Sequence, residues 1–330
     1  MNQEMFDELE RAIICDHCNV AGIVVQKNAE TLYENYFNQC TSASRLHVYS
    51  VSKSIISLLI GIAVDKGYIK DINDKILDFF PGYTVKKREK TIQNITLKDL
   101  LTMTAPYKYK AAPYTYIKYF MSDDWVTFTL DLLGGKEPTG VFRYAPLIGP
   151  DLLSGILVKV TGQSVFDFAA ENLFSPLGIS IKSNIILRSA KEQNTFNKAT
   201  NISGWVTDAN GINAGGWGLT LSPGDMAKIG QLCLNAGLWN GRQIVSAKWI
   251  HESTTEHSRW EEANLPFGYL WWVIDPQEQA YAAMGDGGNV IYVNTKKKLV
   301  VAIASLFMKN PPDRIELIKK YIEPAVLPEA

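Results

Sequence analysis

The sequence has almost no net charge and no long apolar run. Its 33 Lys and Arg residues balance 34 Asp and Glu residues, which leaves a formal net charge of -1. Without an excess of basic residues the chain offers no electrostatic footprint for nucleic acid or an anionic membrane surface. No run approaches the roughly 18 consecutive apolar residues that a membrane-spanning helix needs, and the first residues have neither a basic start nor an apolar stretch before a cleavage site. We therefore expect no nucleic-acid partner, no membrane segment and a cytoplasmic location.

Cysteine is scarce, with four in 330 residues, and their spacing leaves two alternatives to consider. Cys15 and Cys18 form "CDHC", and Cys40 and His47 follow, so a zinc site or a redox pair must be weighed. A closed zinc site needs a second pair of closely spaced ligands, which Cys40 and His47 do not supply. A redox pair stands between a strand and a helix, whereas "CDHC" precedes a predicted strand. The pattern favours free thiols in a reducing compartment, and we expect no metal and no cofactor.

The sequence also lacks the nucleophile motif of α/β-hydrolases. None of its 19 serines stands in Gly-x-Ser-x-Gly, and none of its four histidines has a strand-end setting that suggests a base. It does contain one Ser-x-x-Lys, Ser50 and Lys53 in "YSVSKS", at the start of an apolar helical pattern over residues 54–66. One helical turn puts both side chains on the same face. The pair is either a nucleophile with its base or a helix cap beside a solvated lysine, and chance alone would supply about one such match.

Strand patterns lie at the two ends of the chain, and helical patterns lie between them. The stretch "VAGIVVQKNAETLYENYF" predicts two strands, and "YLWWVI", "GNVIYVN" and "KLVVAIASL" predict three more near the other end. Cap signals such as Ser222-Pro223 open helices in the middle. We predict an α+β fold: an antiparallel sheet built from both chain ends and flanked by helices, with a mostly helical inserted domain. The expected boundaries are 1–66 and 205–330 for the sheet-plus-helix domain and 67–204 for the insertion, with the active site in the cleft between them.

Several segments carry a family resemblance, in order, along nearly the whole chain. They include "YSVSKS", "ITLKDLLTMT", "TGVFRYAP", "GGWGLTLSPGDMAKIGQLCLNAGLWNGRQIVSAKWI", "FGYLWW" and "MGDGGNVIYVNTKKKLVVAIAS". Together they resemble the serine β-lactamase and penicillin-binding protein superfamily, especially its class C-like esterases and peptidases. The resemblance implies a β-lactamase/transpeptidase-like fold and a cofactor-free serine hydrolase that acts through an acyl-enzyme.

The resemblance assigns the catalytic roles to Ser50, Lys53 and Tyr144. Ser50 would be the nucleophile, and Lys53, desolvated by the apolar helix that follows, would accept its proton. Tyr144 in "FRYAP" falls on the family's tyrosine, and a phenol beside a buried lysine can have its pKa lowered enough to serve as a base. Pro146 stands where the family has an asparagine, which removes a contact to a substrate amide but leaves the proton relay.

The third motif of the family, normally Lys-Thr-Gly on a strand that lines the site, aligns with Asp286, Gly287 and Gly288. These three residues are expected to contact substrate. The next backbone N–H, that of Asn289, would be the second oxyanion donor beside that of Ser50. The alternative is a simple turn, since Gly-Asp-Gly-Gly is common turn chemistry.

The expected reaction is hydrolysis of a small ester, amide or peptide, with the oligomeric state left open. Trp217 in "GGWG" is a further candidate for the substrate cleft, although it could equally be a core residue. Asp286 stands where lactam-processing relatives have a cation, so a substrate with a carboxylate near the scissile bond should be disfavoured. The alternatives are a β-lactamase or D-amino-acid peptidase proper, and a catalytically inactive binding or regulatory relative that has kept the fold.

Overall fold

The structure, a computed structural model, describes residues 3–108 and 113–326. Its α-helices are α1 (Gln3–Cys15), α2 (Val51–Asp65), α3 (Ile76–Phe79), α4 (Leu97–Leu101), α5 (Pro113–Phe120), α6 (Trp125–Leu132), α7 (Pro150–Thr161), α8 (Val165–Ala169), α9 (Ala190–Lys198), α10 (Pro223–Leu234), α11 (Ala247–Ser253), α12 (Arg314–Leu317) and α13 (Glu323–Val326). Short 3-10 helices span Thr91–Asn94, Glu261–Ala263 and Asp286–Gly288, and π-helical turns span Ala170–Phe174 and Ile318–Ile322.

One large antiparallel sheet organises the molecule. The strands are β1 (Val20–Lys27), β2 (Glu30–Tyr36), β3 (Leu46–His47), β4 (Ser183–Ile186), β5 (Gly204–Thr207), β6 (Thr220–Leu221), β7 (Leu238–Trp239), β8 (Arg242–Gln243), β9 (Ser258–Trp260), β10 (Leu265–Phe267), β11 (Trp272–Asp275), β12 (Ala280–Gly285), β13 (Asn289–Asn294) and β14 (Leu299–Ser305). Among the described residues, eight of these form the sheet in the order β2-β1-β14-β13-β12-β11-β10-β9. The first strand β1 pairs with the last strand β14, with Val24 opposite Ala302. The sheet is thus built from both chain ends, which confirms the predicted α+β fold.

Three strands of this sheet, β9, β10 and β12, do not follow from the sequence pattern. The strand β12 reads "AYAAMG", and alanine and glycine are weak strand formers. Its first four residues are nevertheless buried, between paired neighbours β11 and β13. Pairing on both edges therefore outweighs local propensity, and the last residue of this strand, Gly285, leads directly into the Asp286–Gly288 turn.

Helices cover both faces of the sheet. On one face, α1 and the C-terminal helical segments enclose a core that includes Phe6, Leu9 and Ile318. On the other face lie α2 and α10, and every residue of α2 from Val51 to Ala63 is buried. A helix that is buried all round belongs to the core. Any polar side chain in its first turn therefore enters the protein interior.

Residues 67–204 contain α3 to α9 together with β4, which pairs in parallel with β5, a strand that crosses the predicted boundary at 204/205. The helix α7 packs directly on α2, and one continuous core includes Ile56 of α2 and Leu153 of α7. The helical region thus stands against the sheet domain across a shared core. The domain boundaries themselves stay a prediction.

Membrane and metal criteria can be applied to the described part of the chain. No single helix there has both the length and the apolar content needed to cross a membrane; Pro150–Thr161 and Val165–Phe174 meet those criteria only when taken together across a 79° bend. The same residues contain no group of three or more His, Cys, Asp or Glu side chains able to hold a metal ion.

The cysteines of "CDHC" are free thiols. Cys15 and Cys18 are exposed, and Cys40 is a buried free thiol elsewhere. His47 is a core histidine whose Nε2 accepts the Gly218 N–H at 2.8 Å. Of the four side chains considered for a zinc site, Cys15 and Cys18 are thus exposed, whereas Cys40 and His47 are buried.

Candidate active site

Ser50 stands at the start of the buried helix α2, and its hydroxyl does not cap that helix. It occupies the N-cap position, but its side chain makes no capping hydrogen bond. The preceding residue, Tyr49, has a φ of 49°, a left-handed conformation that costs free energy in a non-glycine residue and recurs at functional turns. Lys53, one helical turn further, places its Nζ 2.8 Å from Ser50 Oγ. The two residues singled out by the sequence are in hydrogen-bond contact.

Lys53 is held in the interior by neutral acceptors. The residue is 2% exposed, and its Nζ also donates to the carbonyl oxygens of Pro146 at 2.7 Å and Gly216 at 3.0 Å. Burial lowers the pKa of this ammonium from 10.5 to about 7, while the Asp286 and Asp151 carboxylates act in the opposite direction. A lysine with this pKa is neutral about half of the time at neutral pH, as a general base requires. The alternative of a helix cap beside a solvated lysine is therefore wrong.

Tyr144 lies against this pair, but the pKa of its phenol moves in the direction opposite to the expected one. Its ring centroid is 5.1 Å from Lys53 Nζ and 5.7 Å from that of Trp272. Loss of solvent around the hydroxyl raises the pKa of Tyr144 to about 12, although 36% of the residue as a whole is exposed; a hydrogen bond with the Ser50 hydroxyl lowers the pKa, and the Asp286 carboxylate raises it. The phenol is therefore protonated at neutral pH. It can donate or relay a proton, but it is not the resting base.

The end of β12 approaches Ser50 so closely that only glycine fits there. A Cβ on Gly285 would lie 2.3 Å from Val48 O and 3.1 Å from Ser50 N. The chain continues into Asp286, which is exposed and lines the cleft beside Ser50. Neither the Ser50 N–H nor the Asp286 N–H donates to an acceptor within the described residues. Two free N–H donors beside a serine hydroxyl have the arrangement that an oxyanion hole requires.

Asn289, the donor expected from the sequence, lies outside this cleft. It is the fully buried first residue of β13 and pairs with Gly285 across the ladder. Its Nδ2 donates to Asp286 O at 2.8 Å. Gly287 and Gly288, which stand between Asp286 and Asn289, turn the chain with φ values of 78° and 87°. Neither glycine lines the cleft. The strand β12 ends at Gly285, earlier than the motif alignment implied, so the residue that follows the strand beside Ser50 is Asp286 and not Asn289.

Trp217 is a core residue. It is 3% exposed, packs with Tyr119 and Trp125, and donates its Nε1–H to the Tyr119 hydroxyl at 3.1 Å. The same "GGWG" segment contributes to the site through its backbone, because Gly216 supplies one of the carbonyls that hold Lys53. Of the two roles considered for Trp217, the core role is the one observed.

The cleft beside Ser50 has a volume of about 570 Å³ and one aromatic wall. Its lining residues are Ser50, Phe142, Arg143, Tyr144, Trp260, Glu262, Trp272, Met284, Gly285 and Asp286. Sequence reasoning missed Arg143, Trp260 and Trp272. Arg143 lies in "FRYAP" and Trp272 lies in "FGYLWW", two of the segments that carry the family resemblance. That position was the available signal for these two residues.

Arg143 does not offer a free cation to a substrate. Its guanidinium donates to the Pro138 carbonyl at 2.9 Å and pairs with the Glu137 carboxylate at 3.5 Å. The other charged side chains along the cleft are the carboxylates of Glu262 and Asp286. Within the described residues, the charged groups that line the cleft beside Ser50 are thus two carboxylates and an arginine engaged with its own loop.

Comparison with known proteins identifies the family of this chain. A family model described as Beta-lactamase matches residues 7–323. The chain belongs to the β-lactamase family. Among characterised proteins, the 6-aminohexanoate-dimer hydrolase of Paenarthrobacter ureafaciens is 21% identical over 301 residues, which are 84% of this chain and 70% of that protein.

Solved structures of the β-lactamase fold superpose on the chain. A putative 6-aminohexanoate-dimer hydrolase from Bacillus anthracis gives a TM-score of 0.74 at 20% identity, covering 96% of this chain and 81% of that one. A family VIII carboxylesterase gives a TM-score of 0.72 at 16% identity, covering 97% and 96%. The predicted superfamily and its fold are confirmed.

Proposed function

We propose that this β-lactamase family member is a serine hydrolase that cleaves a small ester or amide through an acyl-enzyme on Ser50. The observation that carries the proposal is the 2.8 Å hydrogen bond between Lys53 Nζ and Ser50 Oγ. A serine hydroxyl needs a base at its proton. Lys53, whose pKa is lowered by burial to about 7, provides that base at neutral pH.

In the acylation step, neutral Lys53 accepts the Ser50 proton while Oγ attacks the substrate carbonyl carbon. The carbonyl oxygen becomes an oxyanion that accepts hydrogen bonds from the N–H groups of Ser50 and Asp286. The protonated phenol of Tyr144 then donates its proton to the departing alkoxide or amine, and Lys53 passes its extra proton to the phenol. The bond from the carbonyl carbon to the leaving group breaks, and the acyl group stays on Ser50.

In the deacylation step, a water molecule takes the place of the leaving group. Lys53 accepts a proton from the water as its oxygen attacks the acyl carbon, and the same two N–H groups bind the oxyanion. The ester bond to Ser50 breaks, and its oxygen recovers a proton through Lys53. The product acid leaves with the enzyme in its starting protonation state.

Two features of the cleft support a substrate with an apolar group and without a carboxylate near the scissile bond. The aromatic wall of Tyr144, Trp260 and Trp272 suits an apolar acyl or leaving group. The Asp286 carboxylate opposes a substrate that carries its own carboxylate near the scissile bond. The names of the two relatives, an amino-acid dimer hydrolase and a carboxylesterase, support amides and esters as the bonds to test.

Ser50→Ala tests the proposal, with Ser52→Ala as a matched control. Ser52 lies in the same helix, is fully buried, and its hydroxyl has no hydrogen-bond partner within the described residues. Ser50→Ala should abolish hydrolysis of short-chain nitrophenyl esters and labelling by a fluorophosphonate, while Ser52→Ala retains both. The Ser50 hydroxyl makes no capping bond but does accept from buried Lys53, which keeps two carbonyl acceptors when the hydroxyl is removed, so the substitution should cost roughly 1 to 2 kcal/mol of stability. Wild-type esterase activity in folded Ser50→Ala would refute the mechanism.

A further inference from the structure

Each of the three carbonyls in the Asp286–Gly288 turn is bound by a buried polar side chain. Asn289 Nδ2 donates to the first carbonyl at 2.8 Å, and Asn19 Nδ2 donates to the second at 2.7 Å. Ser305 Oγ donates to the third at 3.1 Å. All three side chains belong to residues less than one-tenth exposed. The turn that carries the Asp286 N–H is thus held from its interior side at every peptide unit.

Asn19 connects this turn to the end of β14. Its Nδ2 also donates to Leu306 O at 2.7 Å, and its own backbone carbonyl accepts the Leu306 N–H at 2.9 Å. Its Oδ1 accepts a hydrogen bond from Arg314 at 2.5 Å. This last contact determines the orientation of the amide, because a flipped amide would point its NH2 group at a guanidinium that can only donate.

Arg314 is a buried cation without a carboxylate partner among the described residues. It is 3% exposed, it donates to Asn19, His17 Nδ1 and Pro312 O, and its Nε has no partner. A Cβ on Gly288 would stand 2.8 Å from that Nε, so the guanidinium packs directly behind the turn. Burial of an unpaired charge is costly. A role in holding the turn and its asparagine gives that cost a structural reason.

We propose that the side chains of Asn19, Asn289 and Ser305 are positioning residues for the oxyanion hole. Arg314 in turn locks the Asn19 amide. The inference rests on the proposed function, in which the Asp286 N–H binds the oxyanion. Two consecutive glycines with positive φ leave a turn flexible, whereas three bound carbonyls fix its peptide planes. A donor fixed in advance needs no reorganisation when charge develops on the substrate oxygen, and this lowers the barrier.

Ser305→Ala and Asn19→Ala test this role, with Asn38→Ala as the matched control. Asn38 holds the same N-terminal segment without touching the turn, since its Nδ2 donates to the Cys18 and Val20 carbonyls at 2.8 Å each. The readouts are kcat and KM for a nitrophenyl ester and the inhibition constant of phenylboronic acid, whose tetrahedral adduct on the nucleophile mimics the oxyanion. In both test variants kcat should fall about ten- to hundredfold with KM within about twofold. The inhibition constant should rise by a similar factor.

Conservative rescue and the control separate positioning from general destabilisation. Ser305→Thr, which keeps the hydroxyl, should recover most of the kcat lost in Ser305→Ala, and Asn38→Ala should keep the wild-type kcat. Unchanged kcat and boronic acid affinity in folded Ser305→Ala and Asn19→Ala would overturn the proposal. So would an equal loss of kcat in Asn38→Ala. A failure of the underlying function is recognised separately, because folded Ser50→Ala would then remain active.

Discussion

The rate of ester hydrolysis should rise with pH through a midpoint near 7, because the proposed reaction uses neutral Lys53. Burial lowers the pKa of this lysine from 10.5 to about 7. About half of the molecules therefore carry the free amine at pH 7, compared with roughly one in three thousand for a solvated lysine. The amount of active base is larger by about three orders of magnitude. On the acid side of the midpoint, kcat/KM should fall about tenfold for each pH unit.

Asp286→Asn should move this midpoint to lower pH. The Asp286 carboxylate is the first of the two groups that raise the pKa of Lys53, and Asp151 is the second. Removal of the negative charge destabilises the ammonium form, so the pKa of Lys53 falls further. The midpoint should therefore lie measurably below that of the wild type, and the difference should shrink as added salt screens the Asp286 charge in the wild type. The substitution keeps the backbone N–H at this position, so the proposed oxyanion donor remains.

The assay is kcat/KM for a neutral nitrophenyl ester between pH 5 and 9 at constant ionic strength, with uncatalysed hydrolysis subtracted. Glu262→Gln is the matched control, because Glu262 lines the same cleft but is not among the groups that shift the pKa of Lys53. Its midpoint should stay at the wild-type value. A midpoint that stays fixed or moves to higher pH in Asp286→Asn would contradict the reasoning, as would a wild-type midpoint near 10.

Two further predictions concern the proton relay and the choice of substrate. If Lys53 and Tyr144 share one proton path, Lys53→Ala/Tyr144→Phe should lose little more activity than either single variant, and losses that multiply would contradict a shared path. Nitrocefin should be cleaved with a kcat/KM well over tenfold lower than a neutral nitrophenyl ester, because its carboxylate meets that of Asp286. Efficient nitrocefin hydrolysis by the wild type would refute the preference, and an unchanged ratio in Asp286→Lys would show that this charge is not its cause.

The sheet could be predicted from both chain ends because several of its strands have a clear local pattern. The segments of β1, β2, β13 and β14 are rich in β-branched and aromatic residues between polar turns. The strand β12 was missed because "AYAAMG" has no such pattern, and its burial depends on neighbours that are brought together only by folding. A strand stabilised mainly by its partners has a weak signature in its own sequence.

The contact between Ser50 and Lys53 could be predicted because it is local: two side chains one helical turn apart meet whenever the helix forms. The direction in which the pKa of Tyr144 shifts could not be predicted. It depends on a competition between nearby charges and loss of solvent, and burial is the largest of these influences. The sequence indicates which charged residues are close, but the extent of burial follows from packing over the whole chain.

The second oxyanion donor depends on where a strand ends, and a glycine-rich segment leaves that point undefined. In "MGDGGNV" each glycine could be the one next to the nucleophile, and the alignment chose the one that precedes Asn289. The close approach of Gly285 to Ser50 N instead brings the Asp286 N–H to the cleft, while the Asn289 side chain binds the Asp286 carbonyl from behind. An asparagine expected to act through its backbone is therefore placed to act through its side chain. Asn289→Ala would leave a backbone N–H at that position, so a loss of kcat in this variant would support the side-chain role and not the backbone role that the motif first suggested.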